Sequence, residues 1–283
     1  MICKDLHLKD YYDFLGEDGK DARLTVFLQT NLTEMNRNEQ ERPCILVCPG
    51  GGYAFCSQRE GEPIAVNFLD EGYNVFVLNY SVAPHKFPSA ILEVAAVVDL
   101  IHKNKAEWHC DVNRIAIMGF SAGGHLAGHY SNCFDCEEVR KYFPESHPVA
   151  ASVLGYPVIT AKPEIAHLGS FQNLLGKTEL TEDEILRYSL NECVSDKTPP
   201  AFIWHTAEDT CVPVENSLLY AMALTKHKIP YELHIYPFGP HGLSTADYQT
   251  CDRVEENIQI ANSWIADVKK WLHLILKTNK FIG

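Results

Sequence analysis

Positive charge is scarce in this sequence of 283 residues. It contains 24 lysine and arginine residues against 37 aspartate and glutamate residues, which gives a formal net charge of −13. Surfaces that bind nucleic acid or anionic membranes need basic patches, so this balance argues against both kinds of partner. Hydrophobic residues make up 46% of the chain and charged residues 22%, a composition that is typical of a globular protein and excludes a disordered one.

The sequence also lacks a long apolar run. Its longest stretch without Asp, Glu, Lys or Arg is Ile115–Phe134, which carries four glycines, two histidines, two serines and an asparagine. Such a stretch would be costly in lipid, and we expect no membrane-spanning helix. The first residues, MICKDLHLKDYYDFLGED, contain no apolar core of a signal peptide, so we expect a cytoplasmic protein.

Repeats, low-complexity tracts and Gly/Ser linkers are absent as well, and we therefore predict a single domain over residues 1–283. Ten cysteines do not make a disulfide scaffold in a chain of this length, and without an export signal we expect reduced thiols. Cys133 and Cys136 form a lone CxxC, which no second pair completes as a metal site. The sequence leaves homo-oligomerisation open.

Short apolar runs alternate with helical patterns along most of the chain. The runs are apolar on both faces, as in strands of a sheet that helices cover on both sides. We predict strands at Ala22–Thr30, Cys44–Cys48, Asn74–Tyr80, Arg114–Gly119, Ala150–Leu154, Pro200–His205 and Tyr231–Tyr236. We predict helices at Glu62–Asp70, Pro88–Asn104, Ala122–Cys133, Val214–Lys226 and Arg253–Lys277. This alternation predicts an α/β fold with a mostly parallel sheet, which binds ligands at the carboxyl ends of its strands.

A long insertion, Gly155–Thr198, interrupts this alternation between two predicted strands. Within it, Thr181 and Glu184 have the spacing of a capping box, which predicts a short helix that starts near Glu182. Long loops at the carboxyl ends of strands usually carry functional residues. We therefore expect the insertion to lie near the active site and to influence the choice of substrate.

The segment Gly119-Phe120-Ser121-Ala122-Gly123 fits the pattern G-x-S-x-G between a predicted strand and a predicted helix. A nucleophile elbow has this strand–turn–helix setting, in which small residues flank a tight turn and the serine hydroxyl projects above the sheet. The backbone N–H of Ala122 would lie at a helix N-terminus, facing a developing negative charge. A serine in an ordinary turn of small residues is the alternative.

A second glycine-rich loop, Pro49-Gly50-Gly51-Gly52-Tyr53, directly follows the predicted strand Cys44–Cys48. Glycines allow the backbone to approach a ligand and to point its N–H groups inward. In a serine hydrolase, Gly51 and Gly52 of such a loop supply half of the oxyanion hole. A phosphate loop is disfavoured because no Lys-Ser or Lys-Thr follows, and no G-x-G-x-x-G indicates a dinucleotide site. A plain flexible turn remains the alternative.

An acid and a base follow the last two predicted strands. Asp209 comes after the strand PAFIWH, and His241 comes after the strand YELHIY in a glycine-flanked GPHG. A serine hydroxyl becomes an effective nucleophile when a neutral histidine takes its proton, and an acid orients that histidine. The order serine, aspartate, histidine is that of α/β-hydrolases, and it predicts a triad of Ser121, Asp209 and His241. Glu208 is the rival acid.

As a set, these motifs resemble the α/β-hydrolase superfamily, and within it the acetyl esterase/lipase group that includes carbohydrate deacetylases of the xylan type. The matching segments are CPGGGY (Cys48–Tyr53), REGEP (Arg59–Pro63), LNYSV (Leu78–Val82), GFSAGGHLA (Gly119–Ala127), AEDTCVP (Ala207–Pro213) and GPHG (Gly239–Gly242). One departure is Pro49, where many relatives carry a histidine that helps to hold the oxyanion loop. The resemblance implies the α/β-hydrolase fold and an acyl-enzyme mechanism without a cofactor. The residues it implies for the site are Ser121, Asp209 and His241, with oxyanion donors Gly51, Gly52 and Ala122.

We expect the substrate to be a small ester with a short acyl group, acetyl above all, on a sugar or another small alcohol, because no long apolar lid is visible. An amidase, arylformamidase or peptidase on the same fold is an alternative, and so is a non-catalytic binder. Tyr53 and Tyr156 are candidates for substrate contacts, as are Phe55 and Trp204, although core packing would explain them equally well.

Two further histidines, His125 and His129, lie four residues apart on a predicted helix. They could in principle bind a metal, but the sequence lacks the intervening glutamate of an H-E-x-x-H motif. We therefore expect no metal, and we expect His125 to pack under the elbow.

Overall fold

An eight-stranded sheet forms the centre of the fold in the computed structural model, which describes residues 1–251 and 256–277. The strands are β1 (Ile2–His7), β2 (Arg23–Leu28), β3 (Arg42–Cys48), β4 (Asn74–Asn79), β5 (Cys110–Phe120), β6 (Ala151–Gly155), β7 (Ala201–Thr206) and β8 (Tyr231–Tyr236). Their order across the sheet is β1-β2-β4-β3-β5-β6-β7-β8. β2 pairs antiparallel with β1 and with β4. The remaining neighbours in the sheet, in the order β4-β3-β5-β6-β7-β8, all pair in parallel. The predicted mostly parallel α/β sheet is confirmed.

Ten α-helices accompany the strands within residues 1–251 and 256–277. They are α1 (Glu62–Leu69), α2 (Ser89–Lys103), α3 (Ala122–Cys133), α4 (Glu137–Tyr142), α5 (Leu168–Leu175), α6 (Glu182–Tyr188), α7 (Leu190–Cys193), α8 (Glu215–Lys226), α9 (Glu256–Gln259) and α10 (Ser263–Ile275). None of the helices in this part of the chain is long and apolar enough to cross a bilayer.

Alternate residues of the central strands enter two separate apolar clusters, one on each face of the sheet. In β3, Leu46 and Cys48 join the cluster that contains side chains of α2, α3 and α8. Ile45 and Val47 point the other way and join the cluster that contains side chains of α1 and α10. All four side chains are fully buried. A strand that is covered on both faces has no polar face, and its sequence is therefore a continuous run of apolar residues.

All seven predicted strands are present, with ends that differ from the prediction by a few residues at most. The sequence analysis missed β1, an edge strand whose six residues are exposed or half-buried and include the charged Lys4 and Asp5. The predicted helix Arg253–Lys277 is divided into α9, a 3₁₀ turn at Ile260–Asn262, and α10. The first part of that prediction, residues 253–255, lies outside the described residues.

The insertion Gly155–Thr198 folds into the helices α5, α6 and α7. The capping box is confirmed, because the Thr181 hydroxyl accepts the Glu184 N–H at 3.3 Å and the Glu184 carboxylate accepts the Thr181 N–H at 2.9 Å. The helix α6 therefore begins at Glu182, where the sequence predicts its start. The other two insertion helices have no side-chain cap, and the sequence analysis did not find them.

Candidate active site

Three side chains from distant parts of the chain meet at one edge of the sheet. Ser121 follows the end of β5, Asp209 follows β7, and His241 follows β8. These strands lie in the parallel part of the sheet, so their carboxyl ends lie at the same edge. The three predicted triad residues are therefore brought together by the fold.

The three side chains form a continuous hydrogen-bonded row. Nε2 of His241 lies 2.8 Å from Oγ of Ser121, and Nδ1 of His241 lies 2.6 Å from Oδ2 of Asp209. An ionised carboxylate can only accept, so Nδ1 carries the hydrogen and donates it to Asp209. Nε2 is then the basic nitrogen, and it can take the proton of the serine hydroxyl.

The carboxylate of Asp209 is held from several sides. Oδ1 accepts the backbone N–H groups of Cys211 and Val212, both at 2.9 Å, and Oδ2 also lies 3.1 Å from Nε2 of the buried His205. Burial alone would raise the pKa of Asp209, but the hydrogen bonds from His205 and His241 outweigh burial and hold this pKa below its usual range. Asp209 is therefore ionised at neutral pH.

Glu208, the rival acid, has a different contact. Its side chain is exposed, and its carboxylate accepts the N–H of Gly239 at 3.1 Å. It therefore supports the loop that carries His241 and forms no hydrogen bond with the imidazole. The geometry favours Asp209.

The turn at Ser121 is strained and tightly enclosed. Ser121 has φ 54° and ψ −121°, a conformation that is costly for a residue with a side chain. A Cβ on Gly119 would lie 2.1 Å from the carbonyl oxygen of Gly123, and a Cβ on Gly123 would lie 2.1 Å from the carbonyl oxygen of Cys48. No larger residue fits these two positions, and this explains the glycines of the G-x-S-x-G pattern.

Three backbone N–H groups beside Ser121 are free to bind a ligand. Those of Gly51, Gly52 and Ala122 have no acceptor in the part of the chain that the structure describes. Gly51 and Gly52 have φ values of 126° and 63°, and both residues line the same cavity as Ser121 and His241. Donors in this position can stabilise the oxyanion of a tetrahedral intermediate.

A buried glutamate connects the glycine-rich loop with the loop of His241. The carboxylate of Glu60 accepts the N–H of Gly50 at 2.7 Å and the hydroxyl hydrogen of Tyr156 at 2.6 Å. The Tyr156 oxygen in turn accepts the N–H of Ser244 at 2.9 Å. Burial raises the pKa of Glu60. No spacing along the chain indicates this role of Glu60, although the residue lies in the segment REGEP that contributes to the family resemblance.

Other side chains hold the loop at Pro49, where the histidine of many relatives is missing. The Tyr80 hydroxyl donates to the carbonyl oxygen of Pro49 at 2.8 Å. The Asn173 amide, on the insertion helix α5, donates to the carbonyl oxygen of Gly52 at 2.8 Å. The loop therefore has its own support without a histidine at position 49.

An open cavity of about 700 Å³ lies beside Ser121 and His241. Its walls mix polar and apolar groups from the loop after β3, the insertion and the loop after β7. The lining side chains include Phe55, Gln58, Arg59, His167, Asn173 and Cys211. Most of the lining surface is apolar and a few polar groups interrupt it, which is typical of a small-molecule site in which the polar groups orient the ligand.

The aromatic candidates for substrate contacts are placed differently from the expectation. Tyr53 and Tyr156 are 2% and 1% exposed and do not line the cavity, and Trp204 is fully buried. The hydroxyl of Tyr53 binds Nδ1 of His125 at 2.9 Å beneath the site. This corrects the expectation that Tyr53 and Tyr156 contact substrate, because both are fixed in the supporting structure. Phe55, which is 60% exposed, is the aromatic candidate that lines the cavity.

His125 packs under the elbow, as the sequence analysis expects. Its Nε2 lies 2.8 Å from the carbonyl oxygen of Tyr188, and burial lowers the pKa of His125 to about 4. His129 stacks on Phe87. Within residues 1–251 and 256–277, no group of three or more potential ligands is arranged to hold a metal ion.

Comparison with known proteins gives consistent matches along the chain. The family model BD-FAE matches residues 31–224, which is more than half of the chain. Endo-1,4-beta-xylanase B of Butyrivibrio fibrisolvens is 39% identical over 231 residues, 78% of this chain and 35% of that protein. Acetylxylan esterase of Xylanibacter ruminicola is 32% identical over 232 residues, 81% of this chain and 45% of that protein. The chain thus spans less than half the length of these two curated relatives.

A solved structure matches almost the whole chain. The crystal structure of an acetyl ester-xyloside bifunctional hydrolase from Caldicellulosiruptor lactoaceticus is similar with a TM-score of 0.82 and 35% identity. The match covers 96% of both chains. The overall arrangement of strands and helices is therefore similar over most of the chain.

Proposed function

Because the chain belongs to the BD-FAE family, we propose that it is a serine carboxylesterase that removes short acyl groups, acetyl above all, from carbohydrates. The α/β-hydrolase fold named from the sequence motifs is confirmed by the solved relatives. The observation that carries the proposal is the row from Ser121 Oγ through His241 to Asp209 at the edge of an open cavity. An acetylxylan esterase and an acetyl ester-xyloside hydrolase among the relatives support the acyl group and the carbohydrate.

The proposed reaction is acyl transfer to water in two steps. Oγ of Ser121 attacks the ester carbonyl carbon while Nε2 of His241 takes the hydroxyl proton. The N–H groups of Gly51, Gly52 and Ala122 stabilise the resulting oxyanion. As the intermediate collapses, His241 returns the proton to the leaving alcohol and an acyl-serine remains. Water then attacks this acyl group, with His241 as base, and the carboxylic acid and the free serine are released.

The side chains around the cavity support a polar alcohol. Gln58, Arg59, His167 and Asn173 offer hydrogen-bond donors within the same wall. A sugar presents hydroxyl and ether oxygens that can accept from such donors, whereas a long hydrocarbon chain cannot. The small ester substrate and the cytoplasmic location expected from the sequence stay predictions.

We predict that Ser121→Ala abolishes ester hydrolysis while the protein stays folded. The variant lacks the atom that forms the acyl-enzyme, so kcat for acetate release from acetylated xylo-oligosaccharides should fall by about 10⁴- to 10⁶-fold. Circular dichroism and urea unfolding check the fold, and a fluorophosphonate probe should label the wild-type protein and not the variant. Hydrolysis retained in Ser121→Ala would reject the nucleophile. A wild-type protein that takes no label would favour a non-catalytic binder.

We further predict that short acyl chains are the best substrates. With p-nitrophenyl esters from acetate to decanoate, kcat/KM should be highest for acetate and should decrease as the chain grows. A maximum at long chains would overturn the proposed acyl preference. Formyl-amides assayed beside acetyl esters test the amidase alternative, and faster turnover of the amides would replace the esterase proposal.

A further inference from the structure

The insertion contributes one histidine, His167, to the wall of the active-site cavity. It lies directly before α5, and its Cε1 is 3.7 Å from the position that a Cβ on Gly52 would take. Burial lowers the pKa of His167, and the nearby charge of His241 lowers it further. Since His167, Gly52 and His241 line the same cavity, the imidazole of His167 is near both the glycine-rich loop and the proposed base.

The hydroxyl of Ser170 determines which ring nitrogen of His167 carries the hydrogen. Ser170 is 1% exposed, and Nδ1 of His167 lies 2.8 Å from its Oγ. Within the described residues, Nδ1 of His167 is the only hydrogen-bond partner of the Ser170 hydroxyl. A buried hydroxyl hydrogen without an acceptor is costly, so Ser170 donates and Nδ1 accepts. In the neutral ring, the hydrogen is then on Nε2.

Nε2 of His167 is left available for a ligand. It has no hydrogen-bond partner within residues 1–251 and 256–277, and it is accessible to solvent. The ring therefore presents a single, oriented N–H donor at the cavity wall. Water can accept from this donor in the free protein, and a ligand that displaces the water must supply an acceptor oxygen in its place.

The chemistry of an acetyl ester leaves few oxygen atoms that could accept from His167. The carbonyl oxygen already has the donors of Gly51, Gly52 and Ala122. The ester oxygen must lie next to His241, which protonates it, and the acetyl methyl group has no acceptor. The remaining oxygen atoms belong to the alcohol part of the substrate.

We propose that Nε2–H of His167 donates a hydrogen bond to an oxygen on the carbon next to the esterified carbon, and so selects acetyl esters of vicinal diols. This inference rests on the proposed esterase function and names the feature of the alcohol that the site recognises. Sugars are built of such diol units. His167 is then a specificity-determining residue that the insertion supplies.

The test uses two substrates that differ in one hydroxyl group, trans-1,2-cyclohexanediol monoacetate and cyclohexyl acetate. The wild-type protein should prefer the diol ester. His167→Phe keeps a ring and removes the donor, so kcat/KM for the diol ester should fall about two- to tenfold, the effect of one hydrogen bond between neutral groups. The value for cyclohexyl acetate should stay within about twofold, because that ester has no second oxygen on its alcohol part.

Two matched variants separate recognition from a structural role. His167→Gln places an amide N–H donor on the same wall, and it should restore part of the preference for the diol ester. Ser170→Ala leaves the imidazole in place but frees its Nδ1, so it should weaken the same preference less than His167→Phe does. A drop in kcat/KM that is equal for both esters in His167→Phe would overturn the inference, because that result indicates a structural role.

Turnover of p-nitrophenyl acetate by the wild-type protein keeps the two proposals distinguishable. If this ester is cleaved and the wild-type protein shows no preference for the diol monoacetate, the inference about His167 fails alone. If the wild-type protein cleaves none of these esters, the proposed function fails, and the inference fails with it.

Discussion

Glu60 acts on the site without a hydrogen bond to the serine, the imidazole or the aspartate. Its two carboxylate oxygens accept from Gly50, in the glycine-rich loop, and from Tyr156, which binds Ser244 in the loop of His241. One side chain thus links the glycine-rich loop with the loop that carries His241. We regard Glu60 as a positioning residue.

We predict that Glu60→Gln lowers kcat about 10- to 100-fold with a smaller change in KM. A glutamine amide can accept one of the two hydrogen bonds, and its NH₂ group faces the other donor, so one buried group loses its partner. Steady-state kinetics with p-nitrophenyl acetate measure the effect, and unfolding in urea checks stability. Glu62→Gln is the matched control, because Glu62 is exposed in the same segment and should leave kcat unchanged. Equal kinetics in the two variants would remove the positioning role.

The sequence reveals the residues of the proposed triad better than it reveals the residues that support them. Ser121, Asp209 and His241 were predictable because each stands in a short turn after an apolar strand, in a known order. The roles of Glu60 and His167 depend on what the fold places beside them, and no spacing along the chain encodes that. The same reason explains why Tyr53 was a candidate for a substrate contact. A tyrosine that follows a glycine-rich loop has the same sequence pattern whether its side chain faces the cavity or the core.

Among the elements, the insertion contributes His167, Gly169 and Asn173 to the cavity wall, and only one of its helices was predictable. α6 has a capping box at Thr181, which is a local signal. α5 and α7 have no side-chain cap and are short, and α7 has four residues. Their helical form therefore depends on packing of side chains such as Phe171 and Leu190 against the core, which is a tertiary effect.

We predict that Thr181→Ala lowers the free energy of unfolding by about 1 kcal/mol, because it removes the acceptor for an N–H at the start of α6. Thr181→Ser retains the hydroxyl oxygen and should stay close to wild type. The midpoint of urea unfolding measures both variants. Since Thr181 does not line the cavity, kcat for p-nitrophenyl acetate should not change. A variant with unchanged stability would show that the cap contributes nothing to the folded protein.

At the scale of the whole molecule, the strand order explains where the site lies. From β3 the chain goes to β4 on one side, and it later returns to β5 on the other side of β3. The loops after β3 and β5 therefore diverge and leave a crevice, which is where open α/β sheets bind ligands. The glycine-rich loop and Ser121 lie on the two sides of this crevice. The sequence predicts the strands and their parallel direction, but their order depends on contacts between distant residues.

The contacts around Asp209 have a consequence for the timing of the reaction. Two backbone amides hold one oxygen of its carboxylate, and two imidazoles share the other. The carboxylate is thus aligned without a bound ligand, and these contacts restrain its rotation when, in the proposed reaction, the ring of His241 becomes positively charged. In the proposed catalytic cycle, we therefore expect reorganisation mainly at the serine hydroxyl and the ring of His241, with the carboxylate at the negative end of the row held in place.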